Sequence, residues 1–317
     1  VAALFTTVMA FGQNNTASTS QNGNSNTATT AQTGSENDAT VLQGFQGQGQ
    51  SGASAIIDQV GATNAAIIKQ RAWGNRSNEH SIKQTGTFNE AKVDAFNGDN
   101  LGEINQDGSG NGALMQHGAA IEGQGYVIQN GDDNKASLRQ FNGAGNTASI
   151  IQGAAVYTSS NNEANLTQRG NSNNAMFSLT WGDQNKVTIN QDGDHNYSQY
   201  GVKYGDLNTI TADVEGNSNR TRLYIQTSWG DMSSGNTISV TKNGDFNYVS
   251  GKVEGSGNTI SLMQNGYGNK IGTSWYTSDG VNIAGSDNTV SITQQSDFNS
   301  AFTSITGSGN TATISQN

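Results

Sequence analysis

NTISLMQNGYGN, residues Asn258 to Asn269, holds the plan of the whole chain. Side chains alternate along a strand, so Asn258, Ile260, Leu262 and Gln264 point to one side, and Thr259 and Ser261 to the other. Gly266 and the asparagines supply the positive-φ positions that a tight turn needs. NTATTAQTGSEN (Asn26 to Asn37), NKVTINQDGDHN (Asn185 to Asn196) and NTATISQN (Asn310 to Asn317) read the same way. A short fixed period of alternating residues, broken by Gly and Asn, predicts a chain wound into stacked coils.

The turn asparagine recurs at steps of mostly 11 or 12 residues, as at Asn89, Asn100, Asn111, Asn162, Asn174, Asn185 and Asn196. One step is too short for a three-sided coil of long strands. Two steps form one coil: strand, turn, strand, turn. The predicted fold is all-β, a β-solenoid (an amyloid-like β-helix) with two strands per coil of about 22 residues and about thirteen coils. It occupies residues 13–317. Residues 1–12, VAALFTTVMAFG, are apolar and outside the repeat, and read either as the remnant of a secretory signal or as a strand docking against a neighbouring subunit.

Composition agrees with this reading. Only 32% of the 317 residues are hydrophobic, too few for an ordinary core, yet the repeat is too regular for a disordered linker. An interior that is partly polar resolves the conflict, with Asn and Gln amides bonding to their counterparts in neighbouring coils. Proline is absent, which suits a chain of strands and tight turns, since each proline in a strand deletes a ladder hydrogen bond. Cysteine is absent too, which excludes disulfides and thiolate metal sites. The net charge of −10, with no basic stripe, argues against a nucleic-acid partner. No apolar run reaches the length of a membrane helix, so no membrane insertion is expected.

The expected stacking ladder comprises Asn26, Gln32, Asn37, Gln43, Gln70, Gln84, Gln106, Gln140, Asn146 and Gln152 in the N-terminal half. In the C-terminal half it comprises Asn185, Gln191, Asn258, Gln264, Gln294, Asn310 and Gln316. Beyond about residue 155, Gln-bearing strands mostly alternate with strands that carry an aliphatic residue in its place: Val202, Ile225, Val253 and Ile305. That alternation independently supports two strands per coil. Because an exposed coil offers unpaired backbone groups to any other strand, copies are expected to join end to end. The expected junction involves Gln13, Asn15 and Gln21 on one side and Asn299, Asn310 and Gln316 on the other.

These residues resemble the curlin repeat, Ser-x5-Gln-x-Gly-x2-Asn-x-Ala-x3-Gln. Gln32, Gly34, Asn37, Ala39 and Gln43 match its second half in register, as do Gln140, Asn146, Ala148 and Gln152. The chain departs from curlins in its larger number of repeats, its longer loops and its alternating Val/Ile strands. The resemblance implies a protein secreted unfolded that polymerises outside the cell, at the cell surface, as a functional amyloid of biofilm matrix, adhesion or sheath. It also implies an outer-membrane export pore and a nucleator subunit as partners.

No catalytic, cofactor or metal constellation emerges, and no enzyme is expected. Gly47-Gln48-Gly49-Gln50-Ser51-Gly52 matches a dinucleotide-binding glycine pattern, but no strand–helix context surrounds it, so it reads as a degenerate turn. His80, His117 and His195 lack ligand spacing and read as surface or turn histidines. The acidic turns Asn130 to Asn134 and Gln191 to Asn196 lack the repeated calcium signature. Trp73, Trp181, Trp229 and Trp275 fall at strand ends or in loops, where they would contact glycan or cover the coils. Finally, outward pairs such as Thr209/Thr211, Thr237/Ser239, Thr259/Ser261, Thr289/Ser291 and Thr311/Thr313 form two hydroxyl rows. They read as ordinary β-propensity on a wet face or as an ice- or glycan-binding surface.

Overall fold

The computed structural model describes residues 5–44, 50–71, 76–119, 121–153, 158–226, 232–272 and 280–317, with no helix among them. The chain forms parallel stacked coils, about 12 turns of ~23 residues, which makes it a β-solenoid. It divides into two compact units, Val1–Ile150 and Ile151–Asn317.

In the first unit, one sheet contains Phe5–Phe11, Thr27–Ser35, Ser54–Ala62, Glu79–Thr87, Leu101–Ser109 and Gln124–Asn130, each parallel to the next. The other sheet contains Thr16–Gln21, Asp38–Gln43, Ala65–Arg71, Glu90–Phe96, Gly112–Gly118 and Lys135–Phe141, also parallel. Sequence neighbours therefore lie in opposite sheets, and each strand pairs with the strand one coil away. Pairing is in register, so Ile57, Ile82, Ile104 and Val127 form one buried row and Val41, Ile68, Val93, Met115 and Leu138 another.

The second unit repeats the plan. One sheet runs from Glu163–Arg169 through Lys186–Asp192, Thr209–Glu215, Thr237–Asn243, Thr259–Asn265 and Thr289–Gln295 to Thr311–Gln316. The other runs through Asn174–Leu179, Tyr197–Val202, Arg220–Ile225 and Tyr248–Glu254. There the next rung is split into Lys270–Ile271 and Val281–Ala284, because an insertion separates two halves of one strand. The loop expectations at 154–157, 228–231 and 274–279, with Trp73, Trp229 and Trp275 and most of the Gly47 motif, lie outside the described residues.

The glycine that follows the glutamine is a steric requirement of stacking. Gly61, Gly86 and Gly108 have φ of +124°, +111° and +122°. A Cβ on any of them would fall 1.9–2.1 Å from the carbonyl oxygen of the equivalent glycine in the next coil. Those same oxygens accept the turn asparagines: Asn64 Nδ2 reaches Gly86 O and Asn89 Nδ2 reaches Gly108 O, each at 2.9 Å. A side chain at the glycine would thus both strain φ and push away the acceptor that the asparagine needs. We expect Gly86→Ala to destabilise its coil by about 2–4 kcal/mol, from strain plus one lost buried hydrogen bond. Amide-exchange protection across 79–109 should fall while that of the second unit stays unchanged.

Candidate functional site

The feature that recurs in every coil is the set of buried amides, and the structure brings them into hydrogen-bonded columns. In the first sheet of the first unit, Gln32 Nε2 donates to Gln59 Oε1 at 3.0 Å, Gln59 to Gln84 at 2.8 Å, Gln84 to Gln106 at 2.8 Å and Gln106 to Gln129 at 2.9 Å. In the second sheet Gln21 donates to Gln43 at 2.7 Å and Gln43 to Gln70 at 2.9 Å. The second unit has Gln168 to Gln191 at 3.0 Å and Gln264 to Gln294 to Gln316, each at 2.9 Å.

The direction of these columns is fixed by what surrounds each amide. Gln59 Nε2 also faces the carbonyl oxygens of Asp38 and Asn64, both at 3.0 Å, and a carbonyl can only accept. The glutamine nitrogen therefore stays on that side, and every link donates toward the later coil. The asparagine columns run the opposite way. Asn64 Nδ2 donates back to Asn37 Oδ1 at 3.0 Å, Asn89 to Asn64 at 3.1 Å and Asn111 to Asn89 at 3.1 Å. In the second unit, Asn185, Asn208, Asn236, Asn258, Asn288 and Asn310 continue the same pattern at 2.9–3.1 Å. Before the last coil, each Oδ1 also accepts a backbone N–H of the following coil, as Asn37 Oδ1 does from Asn64 at 3.1 Å.

The other expected residues fall as follows. Asn26 Oδ1 accepts the backbone N–H of Ala53, which stands where an asparagine would repeat. Gln140 Nε2 donates to the carbonyls of Gln124 and Asn146, each at 3.0 Å, and Gln152 is fully buried. Gln13 O accepts Glu36 N, Gln21 Oε1 accepts the Thr6 hydroxyl at 2.9 Å, and Asn15 bonds Gly34 O and Asn37. Asn299 donates its backbone N–H to Asn269 Oδ1, and Gln316 Nε2 reaches Ser300 O at 2.9 Å.

Two sequence expectations need correction. At the Asn173-Asn174 doublet, the buried turn residue is Asn173, whose Oδ1 accepts Asn196 N. Asn174 begins the strand, because only the register from 173 puts Ala175, Phe177 and Leu179 inside. His80 and His117 are not surface groups: both are buried, and His80 Nε2 lies 3.4 Å from His117 Nδ1. His195 does sit exposed in a turn, at φ +59°. Trp181 is partly exposed and meets Tyr204 edge to face.

The glutamine columns have interruptions that reading for Gln alone passes over. Within the second unit, one sheet replaces the column by aliphatics, Leu179, Val202, Ile225, Val253, Ile283 and Ile305, paired in register. In the other sheet Val214 and Lys242 stand between Gln191 and Gln264. Lys242 is fully buried, and its ammonium donates to the carbonyls of Arg220 and Asn247, the kind of acceptor that glutamine uses elsewhere. Gln264 Oε1, next in the column, is left without a hydrogen-bond partner among the described residues. Counting six residues from the turn Asn236 gives Lys242, so its position was available in the sequence.

This geometry defines a class: a two-sheet β-solenoid held by polar amide columns. Comparison then gives the likeness. Residues 12–44, 98–141, 160–193 and 285–317 match the family model of the curlin associated repeat. No curated protein matches the chain.

Lys242 supplies a test of the columns. Burial lowers its pKa well below the ordinary lysine value, so the unfolded chain holds the proton more tightly and stability rises with pH toward that value. Lys242→Gln removes that penalty and gives Gln264 Oε1 a donor. We expect a gain of roughly 1–3 kcal/mol at pH 7, shrinking as pH approaches about 10.5, read from denaturant midpoints across that range.

Proposed function

We propose that the protein is a structural subunit of an extracellular, curli-like amyloid fibre whose copies join end to end. The observation that carries this reading is the in-register repetition of polarised amide columns. Where the columns run unbroken, each coil offers the next the same donors and acceptors that it receives from the one before. The coil 299–317 of one copy would meet the coil 13–32 of the next through Asn299, Asn310 and Gln316 on one side and Gln13, Asn15 and Gln21 on the other. Opposite column directions favour head-to-tail joining, since reversing one partner sets donors against donors. The likeness to curlin repeats, a family associated with extracellular curli, supports a cell-surface role in matrix, adhesion or sheath. It also supports an export pore and a nucleator as further partners. The repeat and the fold are of a structural kind.

A second reading has its own observation. In the second unit Thr209, Thr237, Thr259, Thr289 and Thr311 stand in one column, with Thr211, Ser239, Ser261, Ser291 and Thr313 beside them. Such a regular hydroxyl face suits binding to ice or an extended glycan.

One experiment separates the two. Purified protein should form filaments with a ~4.7–4.8 Å meridional repeat. Thr313→Pro with Ser315→Pro, whose N–H groups face away from the preceding coil, should block pairing at one end and stop elongation. Thr259→Lys with Thr289→Lys should leave filaments intact. Filaments that form despite the prolines would overturn end-to-end joining. A protein that stays monomeric, but shows thermal hysteresis or glycan binding abolished by the lysines, would favour the second reading.

A further inference from the structure

The break in the first unit's glutamine column is spliced by histidine. The column in the second sheet reads Gln21, Gln43, Gln70, Ala95, His117, Gln140. Ala95 offers Gln70 no acceptor. From the opposite sheet, His80 takes its place: Gln70 Nε2 lies 2.9 Å from His80 Nδ1. Gln70 Nε2 also faces the carbonyls of Ser54 at 2.8 Å and Asn78 at 3.2 Å, which fix the amide with its nitrogen on this side; an amide nitrogen only donates, so His80 Nδ1 is the acceptor. The His80 proton is then on Nε2, which faces His117 Nδ1 at 3.4 Å, and His117 in turn carries its proton on Nε2. The donor direction of the column is carried as far as His117, whose buried Nε2 has no hydrogen-bond partner among the described residues.

Space for the rings is made by glycine. A Cβ at Gly102 would fall 2.5 Å from the His80 ring and 2.4 Å from Met115 Sδ, and one at Gly125 would fall 3.0 Å from His117 Nε2. The rings lie 5.3 Å apart. No carboxylate among the described residues faces them. On the surrounding strands the charged and titratable groups are Asp58, Lys69, Arg71, Glu79, Lys83, Glu90, Lys92, Asp94, Glu103, Asp107, Tyr126, Lys135 and Arg139. All point to the outer faces of the sheets, half-buried or exposed.

The geometry points to His80 and His117 as a proton-operated break in the amide column: neutral, they carry it past Ala95; protonated, they set donor against donor and loosen the coils between Gln70 and Gln140. A proton on His80 Nδ1 would meet the N–H of Gln70, and one on His117 Nδ1 would meet the N–H of His80. Neither new charge has a counter-ion within the core. Burial lowers both pKa values, that of His117 to about 4, with the neighbouring His117 lowering His80 further. The sign follows. Folded pKa values lie below the unfolded 6.5, so stability is full above pH 6.5 and is lost as pH falls toward 4. This response belongs to the coils themselves, whether or not the chain forms fibres.

The test uses the full chain. Opening of residues 79–118, read from amide-exchange protection factors, should increase about 20-fold between pH 7 and 5 from His117 alone, and further with His80. His80→Ala with Ala95→Gln and His117→Gln rebuilds the ordinary column, and its protection should not change over that range. His195→Gln, in an exposed turn, should behave as the parent. Independently of any variant, nitrogen NMR of the parent should show both buried rings as Nε2–H tautomers that do not titrate near 6.5. Acid loosening that persists in the triple variant, Nδ1–H tautomers, or titration at the free-histidine value would each overturn the proposal.

Discussion

A primary amide buried away from water must find partners for both its hydrogens and its oxygen, and here backbone carbonyls and the copy one coil on face the hydrogens while the copy one coil back donates to the oxygen. Leaving one such group unmet costs about 1–3 kcal/mol, so slipping the register by one residue would orphan a full column as well as expose the aliphatic rows. The rest follows from that. Strands must be parallel and in register, the chain must turn sharply two residues after the glutamine, and the residue there must be glycine because the next coil's carbonyl lies against it. Gln59, Gly61 and Asn64 are three views of one requirement: Gln59 bonds the Asn64 carbonyl, and Asn37 bonds Gly61 and Asn64.

The columns also show how such a stack tolerates change. Within the aliphatic row from Leu179 to Ile305 every member is apolar, so no amide inside the row is orphaned. Single replacements need a local answer. Ala53 and Gly123 keep only the backbone N–H that the preceding asparagine requires. Ala95 needs a histidine from the opposite sheet, and Lys242 substitutes an ammonium for an amide at the expense of its charge. Column direction explains which atoms are left over. Gln32 Oε1 follows Ala10 in register and Gln264 Oε1 follows Lys242, and both lack a donor among the described residues.

Much of this was legible in the sequence. Period-two alternation between turn asparagines placed Asn258, Ile260, Leu262 and Gln264 inside, and the spacing of Gln and aliphatic strands indicated two strands per coil. The doublet at Asn173-Asn174 misled because either residue satisfies the turn; only the apolar pattern at 175, 177 and 179 decides. His80 and His117 looked isolated because 37 residues separate partners that lie in opposite sheets. Counting two from Asn78 and six from Asn111 puts both rings inside, so the signal was positional rather than chemical. The column directions were not legible, since they depend on which carbonyls each amide faces.

The most direct test of the account is hydrogen exchange of the glutamine side chains themselves. If the columns hold the fold, the Nε2 protons of Gln59 and Gln84 should exchange with the backbone amides of their own strands, slowed on the order of 10³-fold or more relative to a free amide. Exchange at the free-amide rate, while the neighbouring backbone stays protected, would contradict it.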